Sequence, residues 1–182
     1  CLPERVTEFR DGVAEAARYA EALSCPRVNC LAGLRPQGVD EALLRSTLID
    51  NLRFAADAFA PAERQVLMEP LNSRDTPGFL VDRTAPAISL LDEADRPNLA
   101  LQYDIYHAQV MEGDLARTLE ANLARIGHIQ LADNPGRHQP GTGEINFPFL
   151  FRRLRALGYP GWIGCEYVPT GPTEDSFGWM AA

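Results

Sequence analysis

Short β-rich runs alternate with helical patterns along the whole 182-residue chain, and this alternation limits the folds open to it. The β-rich runs cover residues 27–32, 65–69, 99–104, 128–131 and 161–167. Strict alternation predicts a parallel sheet with crossover helices. Two α/β architectures fit, an open doubly wound sheet and part of a (β/α)₈ TIM barrel. The glycine-rich turn of a dinucleotide-binding open sheet is missing.

Helical spacing and capping residues predict five helices between these strands. The first helix is expected over residues 6–20, the second begins at its cap Asp40 and ends at Phe59, and the third covers residues 84–94. The last two are expected to begin at the caps Asp114 and Asn146. No linker or change of composition divides the chain, so we predict a single domain over residues 1–182. The aromatic residues of the tail, Phe177 and Trp179, are expected to pack back over the barrel or against a partner subunit.

Charge and composition exclude several kinds of function. All 17 basic residues are Arg, and a chain without Lys cannot perform imine or PLP chemistry or form a Walker P-loop. Because the glycine-rich dinucleotide turn is missing as well, we expect no NAD, PLP or nucleotide cofactor. The net charge of −8 argues against a nucleic-acid partner. No apolar run approaches the roughly 18 residues of a membrane span, so no membrane partner is expected, and four unpaired cysteines favour the cytoplasm.

Four consecutive predicted strands each end in, or close to, an acidic or amide side chain. These residues are Glu69, Asp104, Gln130 and Glu166, and roughly one β/α unit separates each from the next. All four should therefore meet at the end of the sheet where barrel enzymes keep their active sites. Three converging carboxylates, with oxygen ligands throughout, predict a divalent metal, Mg²⁺ or Mn²⁺. The alternative is that each acid pairs with an arginine or caps a helix.

Four further polar residues lie near this predicted site. His107, expected in the loop after the third strand, could hydrogen-bond a substrate oxygen, or it could be structural. Arg137 could bind a carboxylate with two hydrogen bonds, although a loop arginine is usually a solvated charge. His128 should point the same way as Gln130 and lie deeper, as a supporting or core residue. Glu144 could support the site or mark the start of a helix.

Five segments together resemble the hydroxypyruvate isomerase family, which belongs to the xylose-isomerase-like barrels. These segments are LME at 67–69, DIYH at 104–107, HIQ at 128–130, GTGEIN at 141–146 and WIGCEY at 162–167. The resemblance implies a (β/α)₈ barrel whose metal ligands are Glu69, Asp104, Gln130 and Glu166, with Glu69 and Glu166 also the catalytic acid–base pair. It implies that His107 and Arg137 bind the substrate. Gln130 stands where epimerase relatives carry His.

The implied activity is the interconversion of hydroxypyruvate and 2-hydroxy-3-oxopropanoate, by metal-assisted proton transfer through a cis-enediolate. The resemblance also implies a small hydroxy-keto acid as substrate and a role in glyoxylate metabolism, and it leaves homo-oligomerisation open. The alternatives are a 2-oxo-tetronate isomerase, a sugar epimerase, or a non-catalytic barrel that binds a small carboxylate. A DNA-repair endonuclease would need more histidines and a basic groove.

The resemblance also carries an expectation about length. Barrels of this kind run to about 250 residues, and the five predicted strands resemble the fourth to the eighth. We expect the chain to lack the first three β/α units and to be part of a longer protein.

Overall fold

A computed structural model describes residues 1–181 and contains five β-strands and six α-helices among them. The strands are β1 (Arg27–Asn29), β2 (Gln65–Met68), β3 (Leu99–Asp104), β4 (Ile126–Leu131) and β5 (Ile163–Cys165). The helices are α1 (Val6–Ala22), α2 (Glu41–Phe59), α3 (Thr84–Ala94), α4 (Ile105–Met111), α5 (Leu115–Asn122) and α6 (Phe147–Ala156). Short 3₁₀ turns cover Pro3–Arg5, Ala60–Ala62, Leu123–Arg125 and Thr173–Ala181.

The chain forms two compact units, Cys1–Gln102 and a second that begins at Tyr103. The boundary falls inside β3, two residues before its end. Whether the chain is one functional domain stays a prediction.

The first unit is a parallel three-stranded arrangement in the order β1-β2-β3, with helices packed against it. Val66 of β2 pairs with Val28 of β1 and with Leu99 of β3, which fixes the register. Helix α2 packs against α1, α3 and β2. Its buried face supplies much of the core, with Leu44, Leu48, Leu52 and Phe59 all at most 2% exposed.

The helix caps of the first unit follow the predicted signals. Asp40 Oδ1 accepts the backbone N–H groups of Ala42 and Leu43 at 2.8 and 3.1 Å, so it begins α2 as expected. Pro86 lies in the first turn of α3, where its missing N–H leaves no helical hydrogen bond unmade.

The second unit contains the parallel pair β4 and β5, with Gln130 opposite Gly164 in the register. Helix α4 packs against β4 and α5, and α5 packs against α6. Asn146 Oδ1 accepts the Phe149 N–H at 3.1 Å and caps α6 as predicted. The last turn packs back as expected at Trp179, whose ring stacks on Phe151 with ring centroids 5.9 Å apart, whereas Phe177 is exposed.

One local prediction was wrong and another holds only in part. His107 was expected in a loop, but it lies in the first turn of α4, a helix that the sequence reading missed. The cause is Asp104, which ends β3 and at once caps the next helix. Asp114 was expected to cap α5 with its side chain. It does occupy the N-cap position, but with a left-handed φ of 43°, and its side chain makes no capping hydrogen bond. Among residues 1–181, no helix has the length and apolar content needed to cross a bilayer.

Candidate active site

Glu69 comes directly after β2 and is 4% exposed in the first unit. Its Oε2 accepts hydrogen bonds from Asn29 Nδ2 at 2.7 Å and from Gln102 Nε2 at 2.8 Å. Asn29 is the last residue of β1 and Gln102 lies on β3, so the strands on both sides of β2 each provide one amide donor. These two amides orient the Glu69 carboxylate, and the sequence reading had identified neither of them.

Asp104 ends β3 in the second unit and is 3% exposed. Its Oδ1 caps α4 by accepting the backbone N–H groups of Tyr106 at 2.7 Å and His107 at 3.4 Å. Its Oδ2 is buried and has no hydrogen-bond partner among the described residues. Burial is the largest cause that raises the pKa of Asp104, to about 6, while the two backbone hydrogen bonds and the charge of Arg137 oppose the rise.

This orphaned carboxylate oxygen provides the test of whether a cation fits. A buried carboxylate oxygen without a partner is costly, and native proteins satisfy such atoms with a donor or a metal. Carboxylate and amide oxygens are the donor set that Mg²⁺ and Mn²⁺ prefer. The chemistry at Asp104 therefore fits a divalent metal, in agreement with the sequence prediction.

His107 lies beside Asp104 and is 3% exposed. Its Nε2 is 3.9 Å from Asp104 Oδ2, and its ring centroid is 5.4 Å from that of Tyr106. Its position in α4 fixes the imidazole next to the orphaned oxygen. A substrate oxygen bound at Asp104 would therefore lie within reach of this side chain.

Gln130, Arg137 and Glu166 meet at the ends of β4 and β5. Glu166 Oε2 accepts a hydrogen bond from Gln130 Nε2 at 3.1 Å and pairs with Arg137 Nη2 at 3.5 Å. The Arg137 guanidinium also lies 5.3 Å from the Tyr106 ring centroid, in cation–π geometry. The Glu166 side chain is 53% exposed, so this ion pair faces solvent and contributes little stability. The second unit thus brings together the predicted residues Gln130, Arg137 and Glu166.

His128 and Gln130 lie on the same side of β4, as alternation predicts. A Cβ added to Gly164, on the neighbouring strand, would be 3.0 Å from His128 Nε2 and 3.2 Å from Gln130 Cγ. Gly164 therefore leaves the space that both side chains occupy. Gly164 belongs to the WIGCEY segment at 162–167, and the sequence alone does not indicate this packing role.

Glu144 is exposed and lies in the loop before α6, two residues ahead of the cap Asn146. Its Oε1 accepts hydrogen bonds from Gln109 Nε2 at 3.0 Å and Asn134 Nδ2 at 2.5 Å. These two amide donors lower the pKa of Glu144. Glu144 thus links its own loop to α4.

Comparison with known proteins identifies the family. The family model described as xylose isomerase-like TIM barrel matches residues 2–182. The chain belongs to the xylose isomerase-like TIM barrel family. This result confirms the TIM barrel that the family resemblance implies, whereas the alternating pattern alone had left an open doubly wound sheet as the other choice.

Two curated relatives and one solved structure of this family are close to the chain. Hydroxypyruvate isomerase of Escherichia coli K12 is 47% identical over 180 residues, which cover 99% of this chain and 70% of that protein. A 2-oxo-tetronate isomerase of Pectobacterium atrosepticum is 44% identical and covered over 98% and 68%. The crystal structure of an AP endonuclease, family 2, from Brucella melitensis superimposes with a TM-score of 0.96 at 44% identity, over 99% of this chain and 69% of that one. The resemblance to hydroxypyruvate isomerases is confirmed, and these relatives support an isomerase.

Proposed function

We propose that the chain carries the active-site residues of an isomerase that interconverts hydroxypyruvate and 2-hydroxy-3-oxopropanoate. The observation that carries the proposal is the buried, partnerless Oδ2 of Asp104, next to His107, in a chain 47% identical to a hydroxypyruvate isomerase. Such an oxygen suits a cation, and His107 suits a substrate oxygen bound beside it.

In this proposal Glu69, Asp104, Gln130 and Glu166 hold one divalent ion, Mg²⁺ or Mn²⁺. When bound, the ion would acidify the proton on the hydroxyl-bearing carbon and offset the negative charge that develops on the substrate oxygens. Asn29 and Gln102 support the assignment of Glu69, because they hold its carboxylate in one orientation.

The protein's own residues would move the proton. One glutamate, Glu69 or Glu166, removes the proton from the carbon that bears the hydroxyl group and leaves a cis-enediolate. The same or the other glutamate then delivers a proton to the neighbouring carbon, while the remaining hydroxyl proton moves between the two oxygens. His107 would donate a hydrogen bond to a substrate oxygen. Arg137 would bind the substrate carboxylate, for which its two parallel N–H groups are suited.

The test replaces each proposed acid–base residue by its amide. We expect Glu69→Gln and Glu166→Gln to abolish isomerisation while the circular dichroism spectrum stays that of the wild type. Glu174→Gln, at an exposed glutamate in the last 3₁₀ turn, is the matched control and should retain full activity. Wild-type turnover in either active-site variant would disprove the acid–base assignment.

A second candidate is a 2-oxo-tetronate isomerase, which the 44% identical relatives of that name favour. Both substrates carry a carboxylate for Arg137 and an α-hydroxy carbonyl group. Assays of both substrates with the same preparation decide between them by the ratio of their kcat/KM values.

If the protein were a non-catalytic barrel that binds a carboxylate, it would have no metal site. A Mn²⁺ titration followed by electron paramagnetic resonance therefore separates this alternative from the enzyme.

DNA cleavage has little support, since the net charge of −8 opposes binding of a phosphate backbone. A cytoplasmic location and a role in glyoxylate metabolism belong to the same proposal, and four free thiols agree with a reducing compartment.

A further inference from the structure

Asp133 is a buried carboxylate that the proposed reaction does not use. It follows β4, is 1% exposed, and accepts four backbone hydrogen bonds from its own loop. Oδ1 accepts the N–H groups of Asn134 at 3.0 Å and Ile145 at 3.1 Å. Oδ2 accepts those of Gly141 and Gly143, both at 2.9 Å. One side chain thus joins both ends of the loop that runs from β4 towards α6.

Only a carboxylate satisfies this arrangement. Each of its two oxygens accepts two N–H donors, so neither oxygen can be exchanged for an NH₂ group without placing donor against donor. The loop is also tight at Gly143, where an added Cβ would lie 2.0 Å from the Asn134 carbonyl oxygen and 2.7 Å from Asp133 Oδ1. The aspartate and the glycine therefore specify one loop conformation together.

The loop that Asp133 holds is the one that carries Arg137. Asp133 also pairs with His138 through its backbone, since its N–H donates to the His138 carbonyl at 2.7 Å. Arg137, which lies between Asp133 and His138 in the chain, has a φ of 54°, a left-handed conformation that residues other than glycine rarely adopt. Its carbonyl accepts the Val168 N–H at 2.8 Å. The backbone of Arg137 is thus held in an unfavourable conformation, and its guanidinium is directed to Tyr106 and Glu166.

We propose that Asp133 is a positioning residue that fixes the Arg137 guanidinium and thereby sets the affinity for the substrate carboxylate. It touches no substrate itself and acts through the shape of its loop. The substrate part of this inference rests on the proposed function. The positioning of Arg137 does not, and it has measurements of its own.

The first measurement needs no activity. In Asp133→Asn we expect the amides of Gly141, Gly143 and Ile145 to exchange hydrogen faster, while those in the middle of α6 keep their wild-type protection. The Arg137 Nε–H resonance, assigned by its loss in Arg137→Gln, should shift. Asp40→Asn is the control, because Asp40 is another aspartate whose side chain accepts backbone N–H groups, two of them, but it lies at the start of α2. An unchanged Arg137 Nε–H resonance in Asp133→Asn overturns the proposal, whether or not the protein is an isomerase.

The second measurement is kinetic. We expect Asp133→Asn to raise KM about tenfold and to change kcat less, as for a displaced binding group. On the Arg137→Gln background the same substitution should change KM less than about twofold, because its effect passes through Arg137. A rise in KM of equal size on both backgrounds overturns the proposal. If Asp133→Asn does not fold, Gly143→Ala disturbs the same loop and should give the same KM pattern. A wild-type protein without isomerase activity would refute the proposed function and leave the resonance test to decide the role of Asp133.

Discussion

Replacing Asp104 by Asn should make the metal-free protein more stable at pH 8 and remove its response to metal. Burial holds the pKa of Asp104 at about 6, above the ordinary value of 3.8, and this difference corresponds to about 3 kcal/mol of unfolding free energy. Asparagine can still cap α4, because its Oδ1 accepts the same N–H groups. Its amide N–H would be buried at the Oδ2 position, at a cost of about 1 kcal/mol. We therefore expect a net gain of about 2 kcal/mol at pH 8.

The sign of this effect follows from proton linkage. Below pH 3.8 the carboxyl group is mostly protonated in both states and does not affect the free energy of unfolding. As the pH rises to about 6, the unfolded chain releases the proton first, so the wild type loses stability relative to the variant. About half of the loss is present at pH 5 and nearly all of it at pH 8. The stability advantage of Asp104→Asn should thus grow by about 1.5 kcal/mol between pH 5 and pH 8.

The assay is urea unfolding followed by circular dichroism, with EDTA, at several pH values from 5 to 8. A difference between the two proteins that stays constant over this range would refute the reasoning about burial. Adding Mn²⁺ provides the second half of the experiment. The wild type should gain stability with metal concentration, as a protein does when only its folded state binds a ligand, and Asp104→Asn should not. An equal gain in both proteins would show that Asp104 is no ligand.

Two further predictions concern a close packing contact and the thiols. In Gly164→Ala the new Cβ, 3.0 Å from His128 Nε2 and 3.2 Å from Gln130 Cγ, must shift both side chains by a few tenths of an ångström. We expect Mn²⁺ affinity to fall about tenfold in calorimetry, and an unchanged affinity would argue against Gln130 as a ligand. Cys30 is buried with its pKa raised to about 11, whereas Cys165 is exposed. Partial burial also raises the pKa of Cys165. A thiol reagent at pH 8 should therefore spare Cys30 in the folded protein, and Cys165→Ser should remove a thiol that reacts faster than Cys30. If the fastest phase of thiol modification disappeared in Cys30→Ser and not in Cys165→Ser, the assignment of Cys165 as the more reactive thiol would be contradicted.

The sequence predicted the regular elements well where the signal was local. Asp40 and Asn146 each cap the helix expected of them, and β3 has the predicted bounds 99–104. Apolar runs and capping side chains are properties of a few neighbouring residues, which is why a single sequence displays them. The strands at the two ends of the order, β1 and β5, are shorter than predicted. Each is hydrogen-bonded to one neighbouring strand, and propensity alone does not show how much of a run will be paired.

The parts of the site that the sequence did not show depend on contacts between distant residues. Asn29 and Gln102 become recognisable only when the register of three strands places both amides on Glu69. The role of Asp133 depends on four backbone N–H groups that lie up to 12 residues away along the chain. Helix α4 was missed because helix capping by Asp104 stood only as the alternative to metal binding, whereas in the structure this carboxylate begins a helix.

The packing of the final turn has a consequence for optical measurements. The chain has two tryptophans, and both belong to the second unit. Trp162 is 82% exposed, whereas Trp179 stacks on Phe151 and its Nε1 donates to the Tyr167 hydroxyl at 3.5 Å. Indole emission therefore reports on the second unit alone, and Trp179 senses the release of the tail. Circular dichroism reports on the helices of both units. The separation between the emission and dichroism curves thus measures whether the two units unfold as one cooperative system.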